Sequence, residues 1–253
     1  MIKQAIYKLL HVVTLGKGIP RTFEGNKVRM PTRYFRYFEK GYEKSNFNFI
    51  NKEVKESMTV LDIGSHIGLM AAVFGKKVGN NGRVFAFEPT PSTVRILRET
   101  VRLNHGTNVS VEPYALADQK GKMTFYISDN LADNSNSLAN NHRNDRAEQA
   151  IEVDVNTVDD FVKERNIPKV DFMKVDVEGA EFRLLKGARQ TIMKHKPRMI
   201  LALHPFAINN LGDSLPEIFD LLTEFGYRIR HENTVLNKQA FIEKKDLFDV
   251  FLD

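Results

Sequence analysis

The sequence predicts an α/β fold built on a mostly parallel sheet, and three observations carry the prediction. From residue 58 onward, apolar runs of strand length alternate with segments of helical periodicity, the mark of repeated strand-helix-strand units. The first strand-to-helix turn holds Gly64 and Gly68 and the next strand ends on Glu88, which is how such sheets present a ligand site at their strand ends. Hydrophobic residues are 42% and charged residues 27% of the 253, enough for one large core and wrong for a collagen-like or disordered chain.

The elements follow in chain order. Residues 1–57 read as a basic helical or irregular extension, with 12 Lys/Arg against 5 Asp/Glu, and residues 58–253 as the main α/β domain. Within the extension, Ile2, Ala5, Ile6, Leu9, Leu10 and Val13 recur at helical spacing with Lys3 and Lys8 opposite. That pattern predicts an amphipathic helix docked on its own domain or on a second copy in a homo-oligomer, with membrane-surface contact as the alternative. Phe23 to Tyr37 reads as short strands or irregular packing. Thr59 to Ile63 is the first strand, and Ile67, Met70, Ala71, Phe74 and Val78 give one face of the helix that follows. Arg83 to Phe87 is the second strand, and Pro91 opens the next helix with Val94, Leu97 and Val101 inward. Val109 to Leu116 reads as the third strand and Lys122 to Ile127 as an added hairpin strand after Gly121. Asp129 to Ala150, with six Asn and no aromatic residue, reads as a long loop or lid that encloses substrate together with the N-terminal segment. Val170 to Val175 is the fourth strand, Ala180 to Lys194 its helix, Met199 to Leu203 the fifth strand, and Pro216 to Phe225 and Tyr227 to Arg230 a further helix and strand.

Composition excludes several chemistries. With no Cys there is no disulfide framework, thiol nucleophile or thiolate-held metal. No apolar run approaches the roughly 20 residues of a membrane-spanning helix. Lys3, Lys8 and His11 interrupt the first 13 residues and no small-residue cleavage site follows, so no secretory leader and a cytoplasmic address are expected. The net charge of +5 is mild for this length.

The chemistry begins at Asp62-Ile63-Gly64-Ser65-His66-Ile67-Gly68. A dinucleotide fingerprint needs a third glycine to bring the helix N-terminus against a pyrophosphate, and this turn lacks it. Asp62 offers a carboxylate to a cationic ligand, and Glu88, 24 residues beyond Gly64, stands where an acidic side chain accepts bonds from a ribose diol. Cation, ribose and absent phosphate together point to S-adenosylmethionine. Asp62, Gly64, Ser65, His66, Gly68, Glu88 and Pro89 are its candidate contacts, with the loop of Tyr114, Ala115 and Asp118 assigned to the adenine.

Three stretches, Val60 to Gly68, Val84 to Pro89, and Lys174-Val175-Asp176-Val177-Glu178-Gly179-Ala180-Glu181 with Leu185-Lys186-Gly187-Ala188 beyond it, resemble the S-adenosylmethionine-dependent methyltransferases of the FkbM type over roughly residues 58 to 206. The resemblance implies a Rossmann-like, seven-stranded class I methyltransferase sheet with its last strand antiparallel. It also implies methyl transfer to a hydroxyl of a sugar, glycan or other natural product. Two positions depart from the family: His66 where Asn is usual, and Ala202 where an acidic residue is common.

Asp176 and Glu178 follow the fourth strand and face the same end of the sheet as Glu88. Carboxylates there suit three tasks: touching the cofactor's amino group, holding a substrate hydroxyl, or ligating a hard divalent cation. A hydroxyl must lose its proton as it attacks the methyl carbon, and a carboxylate with a pKa of about 4 is a weak base for that. His204, at the end of the fifth strand, or a divalent cation is the expected helper, so Asp176, Glu178 and His204 are the candidate catalytic residues. Glu181 reads as a helix N-terminal charge and Lys174 as a structural partner for a carboxylate. A ribose 2′-hydroxyl methyltransferase acting on RNA fits the basic N-terminus, and a nicotinamide dehydrogenase fits the fold. The expected acceptor is nonetheless a small molecule or glycan and not a nucleic acid: no Cys serves a cytosine-C5 reaction, and no Asn-Pro or Asp-Pro pair builds an amino-group clamp.

Overall fold

A computed structural model of the chain describes residues 7, 10, 12–128 and 148–253. Most of the amphipathic helix expected over Met1 to Val13, and residues 129–147 of the Asn-rich stretch, lie outside the described residues.

The N-terminal part opens with an antiparallel hairpin, β1 (Ile19–Phe23) and β2 (Asn26–Met30). Its two-residue turn places Glu24 and Gly25 at φ 42° and 83°, the positive pair that matches a hairpin's twist. Helix α1 (Lys44–Glu53) follows and buries Phe47, Phe49 and Ile50. Phe49 packs its ring 6.0 Å from Phe172 and 4.8 Å from Phe251, so this extension covers one face of the main sheet.

The α/β part runs β3 (Thr59–Ile63), α2 (Leu69–Val78), β4 (Arg83–Phe87), α3 (Pro91–Leu103) and β5 (Val109–Glu112), each parallel strand pairing in register with the one before. The third strand is shorter than the sequence predicts. Pro113 has no N–H for the ladder and ends β5, so Ala115–Leu116 leaves as β6. With β7 (Gly121–Ser128) and β8 (Glu148–Asn156) it forms a side sheet of order β6-β8-β7. The expected loop to Ala150 is already strand at Glu148.

Thr157 caps α4 (Val158–Glu164) by accepting the Asp160 N–H at 3.0 Å. After β9 (Phe172–Val175) the helix expected over Ala180 to Lys194 is two, α5 (Glu181–Gly187) and α6 (Arg189–His195). The Asp159 carboxylate accepts from Gln190 and Thr191 N–H at 2.9 and 2.7 Å, satisfying donors that a continuous helix would have used internally. The chain ends through β10 (Arg198–Leu203), α7 (Pro205–Asn210), α8 (Leu215–Glu224), β11 (Ile229–His231), β12 (Thr234–Val235), α9 (Lys238–Ile242) and β13 (Phe248–Leu252).

The main sheet has the order β12-β11-β13-β10-β9-β3-β4-β5. Its seven principal strands include five parallel ones, and the final strand β13 runs antiparallel to both neighbours; the two-residue β12 is an eighth, at the edge. From β3 the chain winds outward through β4 and β5, then returns to β9 on the other side of β3. Strand order reverses between β3 and β9, which opens a crevice at their carboxyl ends. Among the described residues no helix is long and apolar enough to cross a membrane.

Candidate functional site

Local backbone geometry sets the first wall of that crevice. Gly64 sits at φ 79°, and a Cβ there would lie 1.8 Å from the Asp176 carbonyl oxygen, so the turns after β3 and β9 touch only because this residue lacks a side chain. The Gly64 and Ser65 N–H groups donate to the Phe87 carbonyl at 3.1 and 2.9 Å, and the Ser65 hydroxyl donates to the Asp62 carbonyl at 2.6 Å. Glu88, buried at the end of β4, accepts from His66 N–H through Oε2 at 3.1 Å and from Thr90 N–H through Oε1 at 2.9 Å. Burial pushes its carboxyl up to about 7 against the pull of those donors and of Lys174.

Asp62 is fully buried, and neither carboxylate oxygen has a hydrogen-bond partner among the described residues. Burial raises it to about 6, opposed by its in-register neighbour Lys174. The buried Lys174 Nζ donates to Asp176 Oδ2 at 2.9 Å and to the Gly64 carbonyl at 3.4 Å. Burial opposes its charge, but Asp176, Glu43 and Asp62 outweigh that and raise its pKa. Asp176 is held below the carboxylate range, because Lys174 and then His204 overcome the cost of burial.

The turn after β9 continues through Glu178 at φ 52° and Gly179 at φ 114°, where a Cβ would meet Ala207 of α7 at 2.7 Å. Glu181, fully buried in the first turn of α5, accepts the Gly179 N–H at 3.0 Å through Oε1. The same oxygen lies 2.7 Å from His204 Nδ1, and a carboxylate only accepts, so Nδ1 carries the proton. His204 Nε2 stands 3.5 Å from Glu178 Oε2 and 3.7 Å from Asp176 Oδ1. Burial works against protonation of His204, yet Glu181, Glu178 and Asp176 together raise it to about 9.

These walls line a cleft that, with the solvent at its opening, spans about 920 Å³. Of the residues singled out from sequence, Gly64, Ser65, His66, Glu88, Pro89, Tyr114, Ala115, Asp176 and Glu178 line it. Asp62, Gly68, Asp118 and His204 do not: Asp62 lies behind the wall, Gly68 packs on Leu97, Asp118 pairs with Lys186 at 3.1 Å, and His204 backs Asp176 and Glu178. Sequence reasoning did not single out Phe38, Tyr42 and Glu43, which the N-terminal part brings to the cleft, nor Phe125 of the side sheet. The run Tyr34-Phe35-Tyr37-Phe38-Tyr42 was a usable signal, since so dense an aromatic cluster outside a regular strand asks for a surface to cover. Glu181, by sequence a helix N-terminal charge, instead bonds His204 across 23 residues, a contact with no local signature.

Residues 62–229 match the family model described as the methyltransferase FkbM domain. The hexuronic acid methyltransferase AglP of Haloferax volcanii is 30% identical over 145 residues, 57% of this chain and 56% of that protein. The 2-O-methyltransferase NoeI of Sinorhizobium fredii is 26% identical over 55% of this chain and 61% of its own length, and the 31-O-demethyl-FK506 methyltransferase FkbM of Streptomyces tacrolimicus 25% over 73% and 78%. The match with AglP thus spans little more than half of that relative's length.

Proposed function

The chain belongs to the methyltransferase FkbM family, and from that premise we propose that it is an S-adenosylmethionine-dependent O-methyltransferase acting on a hydroxyl of a sugar, glycan or related small molecule. The observation that carries the reading is Glu88. Its carboxylate takes the His66 and Thr90 N–H groups and the Thr90 hydroxyl, lines the cleft beside the strand-order reversal, and keeps acceptor capacity that fits a ribose hydroxyl. Tyr114 and Phe87, with ring centroids 5.7 Å apart, supply apolar wall for the adenine. Bound there, the cofactor supplies a methyl group made electrophilic by its sulfonium.

The chain's own residues do the rest. Asp176 and Glu178 face the cleft and orient the acceptor hydroxyl, and fixed orientation is a large part of the rate such a displacement needs. Glu178, beside His204, receives the hydroxyl proton as the new bond forms, Asp176, kept ionised by Lys174, holds the hydroxyl, and Glu181 holds the His204 ring in place. The hydroxyl acceptor is supported by the relatives, whose names specify a hexuronic acid, a 2-O position and a 31-O position.

Calorimetric titration with S-adenosylmethionine tests the cofactor half. Glu88→Ala is expected to weaken binding by about 1.5–3 kcal/mol, the range for a charge-assisted hydrogen bond. Unchanged affinity removes Glu88 from the site. For the chemical half, Glu178→Gln keeps cofactor affinity and lowers turnover on a sugar acceptor about 100-fold or more. Full activity in both Glu178→Gln and Asp176→Asn moves the chemistry elsewhere in the cleft.

A further inference from the structure

The same turn carries an arrangement that proton transfer alone does not call for. We propose that Asp176, Glu178 and His204 form a site for one divalent cation; the proposal rests on the methyl-transfer reading and adds the group that acidifies the acceptor hydroxyl. One ligand atom from each residue lies within 4.8 Å of the other two. His204 Nε2 is 3.5 and 3.7 Å from its two carboxylate neighbours, longer than N–H···O bonds of about 2.7–3.2 Å. Ligands held about 2.1 Å from one ion lie roughly 3.0–3.5 Å apart when adjacent and about 4.2 Å when opposite, so rotation of the carboxylate side chains brings all three into a single coordination shell.

A second observation is the aim of His204, only 8% exposed. The buried Glu181 carboxylate holds the Nδ1 proton at 2.7 Å and leaves Nε2 directed at the two carboxylates. A carboxylate behind an imidazole is the usual outer partner of a metal-bound histidine, fixing both its tautomer and its ring plane. Asp176 divides its oxygens in the same sense: Oδ2 takes the Lys174 bond, and Oδ1 faces His204. Two carboxylates and one imidazole, with the cleft side open to water and an acceptor, suit Mg²⁺ or Mn²⁺ better than a thiophilic ion.

A cation there takes the acceptor oxygen as a further ligand and makes its proton easier to lose. The O–C bond forms as the C–S bond of the donor breaks, the sulfonium becomes a neutral thioether, and the hydroxyl proton passes to the Glu178 oxygen that does not hold the cation.

The test is titration of the full chain with Mn²⁺ alone, read from the loss of the free-ion electron paramagnetic resonance signal, with S-adenosylmethionine binding measured calorimetrically on the same preparations. One Mn²⁺ per chain is expected, displaced by Mg²⁺, and His204→Ala or Asp176→Asn weakens it at least tenfold. Glu178→Gln, on the cleft side, gives the same loss should the buried substitutions unfold the chain. A chain that binds S-adenosylmethionine but takes up no Mn²⁺ or Mg²⁺ at millimolar concentration overturns the cation site and leaves the methyl-transfer reading standing. Uptake that is unchanged in all three variants also overturns it. A chain that takes up Mn²⁺ at this cluster but not S-adenosylmethionine overturns the methyl-transfer reading while the cation site stands.

Discussion

Glu88 shows how one side chain couples stability to binding. Its folded-state pKa is raised from the ordinary 4.5 to about 7, so its contribution to stability is fully present below pH 4.5 and is lost as pH rises through 7. Asp62 and Asp249, both raised to about 6 by burial, act in the same direction. The ligand-free protein is therefore expected to lose thermal stability between about pH 4.5 and 7, and Glu88→Gln to flatten that slope; differential scanning calorimetry across the range checks it. On the proposed function binding has the opposite sense, because ribose hydroxyls would donate to the carboxylate and favour its ionised form. Affinity for S-adenosylmethionine should rise as pH increases toward 7 and level off above it, and Glu88→Gln should remove the dependence. At Gly64 the constraint is steric: an added Cβ meets a backbone carbonyl at 1.8 Å and the φ of 79° is strained for any other residue. Gly64→Ala should cost more than the roughly 1–3 kcal/mol of such strain in urea denaturation and spread the turns after β3 and β9 apart.

Two elements owe their form to contacts outside themselves. The break between α5 and α6 is held by Asp159 at the start of α4, whose two hydrogen bonds cap the second helix from another element. Asp159→Ala should destabilise the fold by about 0.5–2 kcal/mol, the cost of losing a helix cap, measurable as a shift in urea midpoint with unchanged m. The side sheet owes its origin to Pro113, which stops β5 and sends Ala115 and Tyr114 toward the cleft. Strand β8 shows Ile151, Val153 and Val155 alternating with Glu152 and Asp154, a period-2 signal masked in the sequence by the polar stretch leading into it.

At the scale of the whole molecule, the described residues before Met58 and those after it share one core. Phe47 is fully buried and stacks on Phe23 with centroids 5.7 Å apart. Asn46 Nδ2 donates to Glu43 at 3.1 Å and to Asp249 of the last strand at 3.0 Å, tying α1 to β13 beside the cleft. We therefore expect a single unfolding transition for the described parts. Phe47→Ala should cost about 3–5 kcal/mol, the range for emptying a large aromatic site in a core. Removing residues 1–57 should leave a chain that does not fold, because the apolar face over Phe74 and Phe172 would lie bare; circular dichroism and scanning calorimetry decide both.

The sequence by itself determined β3, β4, α3 and the Gly64 and Glu88 turns, because strand and helix periods, a proline at a helix start and a glycine at a forced φ are local properties of a few neighbouring residues. It also named Asp176, Glu178 and His204 by their places at strand ends. Only the tertiary structure decided what those groups do to one another. Parallel register sets Asp62 beside Lys174, so a carboxylate expected to meet a ligand lies buried behind the wall, and its neighbour lines the cleft in its place. Glu181 meets His204 across 23 residues, and Asn46 meets Asp249 across 203. Such contacts are fixed by sheet order and layer packing, which depend on the burial of the whole chain's apolar surface, and no window of local pattern contains that information.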